Sequence, residues 1–512
     1  MVGRVGIYLK NAVILTITGL ALRAAGMCFR VYIAGRIGAE GMGLYQLIYT
    51  VYSLFITAAT SGISMAATRL AAEELAQDGQ GHTRGVMGQV LRLGGGIGLA
   101  CGLVQLAIAY PAAKYLLGDV RTVLSLQILA VSLPFMAVSS AARGYFFARR
   151  RVGPNTRSQL YEQVVRIGLV MVLLPKVQEW GVGYACAAVV AGSTVSEILS
   201  GLLMLFYYKQ DERLQLAEQD PKPPKGTGQR IRKILLPVEG GKCLDSALHT
   251  VENTLVPACL LAFLGSREQS LAQFGALKGM AMPILLFPFS FLTPLATLLL
   301  PEVTQAHILG RKAALERLVG RIMLLTNLFS VLAGGLIALY AGPLARLLYK
   351  DESIGLYLAV LAPVLPAMYL DAMGDSILKG LGEDVATFRY SIWDSALRIG
   401  LVLLLMPRFG MKGFLVVMLC SNLTAALLNI LRIQKVAGIQ TQWYQWFIQP
   451  ILVFGICAAL GRLAQSMLSL EGDLLRVVVG MLLIGGSYLL AMTAFGLGEL
   501  TKSLWNSAFK HG

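Results

Sequence analysis

Apolar stretches of about 20 residues, separated by short polar turns, recur from one end of the chain to the other. Each is long enough to cross a hydrocarbon core of roughly 30 Å as a helix, and the pattern predicts about fourteen such spans. Span 1 runs from Lys10 to Ala34 and carries Arg23 and Arg30, with no small-residue cleavage site after a short apolar core. It is read as a retained helix and not as a signal peptide.

The pattern repeats. Ala109 to Gly183 aligns without a gap on Ala341 to Leu415, keeping Leu133-Pro134 with Leu365-Pro366, Arg166 to Val170 with Arg398 to Val402, and Pro175 with Pro407. A register of that kind marks a tandem duplication. Each copy holds an even number of spans, so both enter the membrane from the same side as parallel repeats, an arrangement in which transporters bind substrate between halves. The predicted architecture is an all-α integral membrane protein of two six-helix lobes plus a C-terminal helix pair. Residues 1–208 form the N-lobe, 209–233 a charged, Pro-containing cytoplasmic linker, 234–436 the C-lobe, and 437–512 spans 13 and 14 with a tail. Pro134 and Pro366 fall inside spans 4 and 10, where they are expected to kink the two lobes alike.

Composition agrees with a membrane solvent, since 56% of residues are hydrophobic and 14% charged, against about a quarter charged in soluble domains. The net charge of +16 resides mostly in short inter-helix loops, which argues against nucleic acid and places both termini in the cytoplasm. Arg149-Arg150-Arg151 with Arg157, and the segment from Lys209 to Lys233, are expected to meet anionic headgroups of membrane lipids. The seven cysteines have no paired spacing and read as small core residues. His82, His307 and His511 lie in loops or at the terminus, no cluster has metal-ligand spacing, and no nucleotide loop or nucleophile motif is present. No cofactor is therefore expected. Directional transport would draw on a sodium or proton gradient or on the membrane potential, or else run downhill.

Ionisable residues at membrane depth cost at least about 2.5 to 3.5 kcal/mol each and normally face a wet cavity or a partner. Arg23 and Arg30 are two turns apart on one face of span 1, with Gly26 between them, and a guanidinium pair suits a phosphate or pyrophosphate. Snorkelling or a structural carboxylate partner is the competing reading. Lys278 of span 8 is a third candidate cation for a headgroup cavity. In span 7, Lys242, Asp245, His249 and Glu252 form one stripe; Asp245, His249 and Glu252 fit a cation or proton site and, equally, a structural ladder. Glu162 precedes Arg166 by one turn, as Asp394 precedes Arg398 in the second copy, and intrahelical clasps account for both pairs. Asp371 and Asp375 of span 10 stand where the first copy has Ser139 and Arg143. Arg143 and Asp375 thus occupy equivalent positions, where a gating pair or two local solutions would serve.

Ile37 to Leu47, Thr60 to Arg69, Arg143-Gly-Tyr-Phe-Phe through Pro154-Asn-Thr and Gln159 to Arg166, and Gly275 to Pro283 resemble the stage V sporulation protein B family. That is the polysaccharide-exporter branch of the MOP superfamily, which also holds MATE transporters and MurJ-type lipid II flippases. The resemblance implies fourteen helices in two lobes of a bacterial cytoplasmic membrane protein that moves a polyprenyl-pyrophosphate-linked sugar, a peptidoglycan precursor, between leaflets by alternating access during spore-cortex synthesis. It implies cell-wall synthesis enzymes as partners and gives Arg23 the role of a pyrophosphate contact. Arg30 stands one position later than in the lipid II flippase pattern, and Ile56 with Thr57 replaces the arginines of span 2. A MATE-type cation-coupled drug exporter would need acidic residues facing its cavity. A membrane glycosyltransferase would need a large loop bearing catalytic carboxylates, and a non-transporting scaffold for cell-wall enzymes is distinguished only by assay.

Overall fold

The computed structural model describes residues 2–76, 82–216, 219–220, 222–438, 443–468 and 472–493. His511 and much of the expected C-terminal tail lie outside them. No strand occurs among the described residues. The chain is an all-α integral membrane protein: among the described residues nine helices are long and apolar enough to cross a membrane, and one bent pair makes a tenth.

The elements are α1 (Val2–Leu75), α2 (Thr83–Pro111), α3 (Val123–Ala130), α4 (Leu133–Ala148), α5 (Gly153–Val177), α6 (Val182–Gln215), α7 (Thr227–Leu264) and α8 (Arg267–Phe274). A π-helical turn, Gly275–Ala281, leads to α9 (Met282–Leu286), α10 (Phe289–Ile308), α11 (Lys312–Leu339), α12 (Ala341–Tyr349), α13 (Ser353–Leu361), α14 (Leu365–Gly380), α15 (Asp384–Ala437), α16 (Gln449–Met467) and α17 (Asp473–Met492). Spans 1 and 2 are joined in α1 with no loop between them. Gly38, at φ 70° and ψ −178°, bends the chain there, and Gly410, at φ 57°, does the same inside α15. Only glycine takes such angles without strain, which is how two spans follow one another without a polar turn.

Pro134 and Pro366 do not interrupt an α-helix from within. Pro134 opens α4 and Pro366 opens α14, each in the first turn, where the missing N–H has no partner to lose. Span 4 is broken just before that turn, α3 and α4 meeting at 45°, whereas span 10 runs on as one helix, Ser353–Gly380, through a tighter 3-10 turn at Ala362–Val364. The bend expected in the first copy is present, with the proline starting a second half-helix.

The chain divides into two compact units, Val13–Gly275 and Ala276–Gly512 with Met1–Ala12. In the first, α2 lies along α4 on a stripe of Gly94, Gly98 and Gly102. A Cβ at Gly98 would come within 2.7 Å of the Ala137 Cβ, and one at Gly102 within 2.8 Å of the Ala130 carbonyl. Small residues at this spacing let backbones approach where apolar burial gives no driving force. The helix α7 also belongs to this unit: Thr250 donates to the Thr50 carbonyl at 3.3 Å. In the second unit, α16 and α17 pack on α11 through Leu328, Val453, Cys457 and Tyr488. The Phe454 ring fills the space left by Gly335.

All seven cysteines are free. Cys186, Cys259 and Cys457 are buried, but Cys28 and Cys420 are exposed rather than in the core, as an apolar solvent permits. Arg149 and Arg151 of the basic loop both reach Asp211 on α6, Arg151 at 2.6 Å, so part of that charge is taken up within the fold.

Candidate functional site

A cavity of about 630 Å³ opens within the first unit, inside the range of pockets that hold drug-sized ligands. One wall is a face of α1, where Ile56, Thr60, Ser64, Thr68 and Ala72 recur every four residues, flanked by Ser61, Met65 and Arg69. The facing wall is α4, with Met136, Ser140, Arg143 and Phe147 at the same helical spacing. Gln159 of α5 and Lys242 of α7 complete the lining. It therefore presents five hydroxyls, three cations and no carboxylate.

Close helix approach builds these walls. A Cβ on Gly144 would lie 2.6 Å from the Ser64 carbonyl and 2.8 Å from the Ala67 methyl, so only glycine lets α4 meet α1 there. Ser140 donates to the Thr60 carbonyl at 2.8 Å. The Gly62 N–H lies 2.5 Å from Glu239 Oε2 on α7.

The charges are held in place. Arg143 Nη2 is 3.3 Å from Glu162 Oε2 and 3.4 Å from Ser200 Oγ. Glu162 Oε1 accepts from Arg166 Nη2 at 2.5 Å. One carboxylate thus serves two guanidinium groups and leaves a net positive charge beside the cavity. Arg69 donates from Nε to Glu73 at 3.0 Å.

Arg23 is exposed and Arg30 half-buried on the first part of α1, and neither lines this cavity. Gly26 between them faces Gln163 of α5 at 3.8 Å. Lys278 lies in the π-helical turn, its Nζ 5.6 Å from the Phe414 ring centroid, a cation–π distance. The span 7 stripe divides in two. Lys242 joins the cavity, while His249 stands 3.9 Å from Asp245 and 3.6 Å from the buried Glu252.

In the second copy, Asp394 pairs with Arg398 at 3.0 Å, matching Glu162 and Arg166, and Arg398 also donates to Ser421 at 2.6 Å. Asp375 pairs with Lys379 at 2.6 Å, and Asp371 accepts from Asn429 at 2.8 Å. Arg143 and Asp375 each have an ion-pair partner in their own unit. Among the described residues no group of three His, Cys, Asp or Glu side chains could hold a metal ion.

Sequence reasoning passed over Arg69, although it ends the Thr60 to Arg69 stretch. It also passed over Glu197, buried on α6, which accepts from Tyr52 at 2.6 Å while the same hydroxyl meets Ser132 at 2.8 Å. A lone acid in an apolar span is itself the signal, given its cost in lipid.

The model of the polysaccharide biosynthesis protein family matches residues 8–307, more than half of the chain. The chain belongs to that family. The chain is 26% identical over 468 residues to stage V sporulation protein B of Bacillus subtilis (strain 168), with 90% of each chain covered. Its fold matches a structure of the lipid II flippase MurJ, inward closed conformation, with a TM-score of 0.70 at 14% identity, covering 96% of this chain and all of that one. It matches an inward-facing multidrug resistance MATE transporter of the MOP superfamily with a TM-score of 0.66 at 16% identity, covering 83% and 99%. The fold thus serves both transporter types, and the site must separate them.

Within this family member, stretches that carry the resemblance meet in pairs inside the first unit. Thr60 to Arg69 and the segment from Arg143 make the two cavity walls. Ile37 to Leu47 and the stretch that begins at Gly275 cross where a Cβ on Gly275 would lie 2.9 Å from Gly43 Cα.

Proposed function

We propose that the chain is a flippase that carries a polyprenyl-pyrophosphate-linked saccharide, a peptidoglycan precursor of the spore cortex or cell wall, between the leaflets of the cytoplasmic membrane. It is a transporter rather than an enzyme. The observation that carries this reading is the cavity lined by Arg69, Arg143 and Lys242 with five hydroxyls and no acid. Guanidinium groups suit phosphate oxygens, hydroxyls suit the sugar, and the polyprenyl tail can stay in lipid. A drug exporter for organic cations would need the opposite polarity.

Arg23, Arg30 and Lys278 are proposed as further headgroup contacts along the path, with alternating access moving the cargo and both termini in the cytoplasm. The His249 cluster with Asp245 and Glu252 is proposed as the coupling site for sodium or protons. Leaflet-resolved translocation of a fluorescent lipid-linked sugar by the purified protein in liposomes tests the reading. Arg23→Ala is expected to abolish translocation with membrane insertion intact, and Glu252→Gln to change its dependence on the imposed ion gradient. Retained activity in the first, or an unchanged gradient dependence in the second, removes that residue from its role.

A further inference from the structure

Arg69 reaches the cavity from the last turns of α1 on a side chain that is 67% exposed, so something must fix where its charge points. Its own helix does little: the pair with Glu73 is an exposed i,i+4 contact in the weaker base-before-acid order. Glu73 and Glu74 stand at the C-terminal end of α1, where the helix dipole disfavours carboxylates and where the helix supplies no basic residue in its last turn.

The compensation comes from the start of α7. Arg230 donates from Nη2 to Glu73 Oε2 at 2.9 Å and from Nη1 to Glu74 Oε1 at 2.8 Å. The second oxygen of Glu73 takes Arg69 Nε at 3.0 Å, and the second oxygen of Glu74 takes the His82 N–H at 3.0 Å. Each of the four carboxylate oxygens thus has one donor. Glu74 is buried, only 3% exposed, and is the fixed end of the chain. Order passes from Glu74 to Arg230, from Arg230 to Glu73, and from Glu73 to Arg69.

We infer that Arg230 and Glu73 are positioning residues for Arg69: the planar fork of Arg230 holds the Glu73 carboxylate so that it grips Arg69 by Nε. The two Nη groups of Arg69 are then left for an anionic headgroup in the cavity. This rests on the cavity being the headgroup site. It also makes the segment that opens α7 part of the recognition machinery, although it does not line the cavity. A lysine at 230 carries the charge but not the fork, so it restores the function only in part.

The test is the affinity of the purified full chain in detergent for farnesyl pyrophosphate, with melting temperature recorded in parallel. Arg69→Ala is expected to weaken binding about tenfold or more, the loss of one charge-assisted contact. Arg230→Gln and Glu73→Gln are each expected to weaken it several-fold, Arg230→Lys less, and neither Gln variant is expected to weaken it further in the Arg69→Ala background. Glu73→Gln keeps the Arg230 to Glu74 pair, so its effect is read without loss of that anchor. Equal weakening by Arg230→Gln with Arg69 present or replaced overturns the positioning role, as does full affinity in both Gln variants while Arg69→Ala is impaired. Unchanged affinity in Arg69→Ala overturns the inference together with the headgroup cavity itself.

Discussion

Arg143 of α4 and Glu162 of α5 lie 3.3 Å apart at the edge of the cavity, and Glu162 is at the same time the partner of Arg166. The acid-to-Arg clasp that the duplication kept in both copies therefore has an added task in the first. It holds a cavity cation in place while neutralising only part of the charge around it.

A headgroup phosphate must compete with Glu162 for Arg143. In Glu162→Gln that competition is lost, and affinity for a pyrophosphate probe is expected to rise several-fold. The same change leaves two guanidinium groups half-buried without their carboxylate, so the melting temperature is expected to fall, at a cost of about 3 kcal/mol or more by the behaviour of broken buried pairs. Titration and a thermal melt on one preparation check both; weaker binding in a folded variant would contradict the competition.

Gly275 tests the crossing of α1 with the start of the π-helical turn. A methyl group there would run into the Ala39 carbonyl and the Gly43 backbone, with Gly43 Cα 2.9 Å away. Backbone atoms cannot give way as a flexible side chain would, so Gly275→Ala is expected to destabilise the protein by about 1–3 kcal/mol or more. A melting temperature equal to that of the parent would show that the helices do not cross this closely.

Asp119 lies in the turn between α2 and α3, outside the membrane spans. Burial pushes its carboxyl up, but hydrogen bonds from the Arg121 side chain and backbone N–H more than offset this and hold it below the ordinary 3.8. Arg121 in turn reaches Glu40 at 2.8 Å. A depressed carboxyl stabilises the fold above its unfolded pKa, and that contribution is lost as pH falls through the lower, folded value. The stability gap between the parent and Asp119→Asn is therefore expected to be constant from about pH 5 to 7 and to close below about pH 4. Melts across that range check it; a gap that grows on acidification would reverse the sign.

The helical membrane fold and the internal repeat could be read from the chain because apolar periodicity and matched landmarks such as Arg166 and Arg398 are local signals. The breaks were less legible. Pro134 and Pro366 read as kinks within helices because a proline that opens a half-helix and one that bends a whole helix look alike in an apolar stretch. Gly38 could not be told from the many other glycines without its φ. The cavity was legible only in pieces. Thr60 to Arg69 and Arg143 to Phe147 were singled out, but that they face each other depends on Gly144 lying against Ser64, a contact between residues far apart in sequence. Lys242 was placed with Asp245, His249 and Glu252 by helical spacing, yet it faces the cavity while the two carboxylates flank the His249 imidazole.

The cationic cavity of the first unit is the proposed headgroup site. Its most direct test is leaflet-resolved translocation of a polyprenyl-pyrophosphate-linked sugar by purified Arg143→Ala in liposomes, with insertion and melting temperature confirmed. Losing one charge-assisted phosphate contact is expected to slow translocation about tenfold or more. Translocation at the parent rate by the folded variant would contradict the claim.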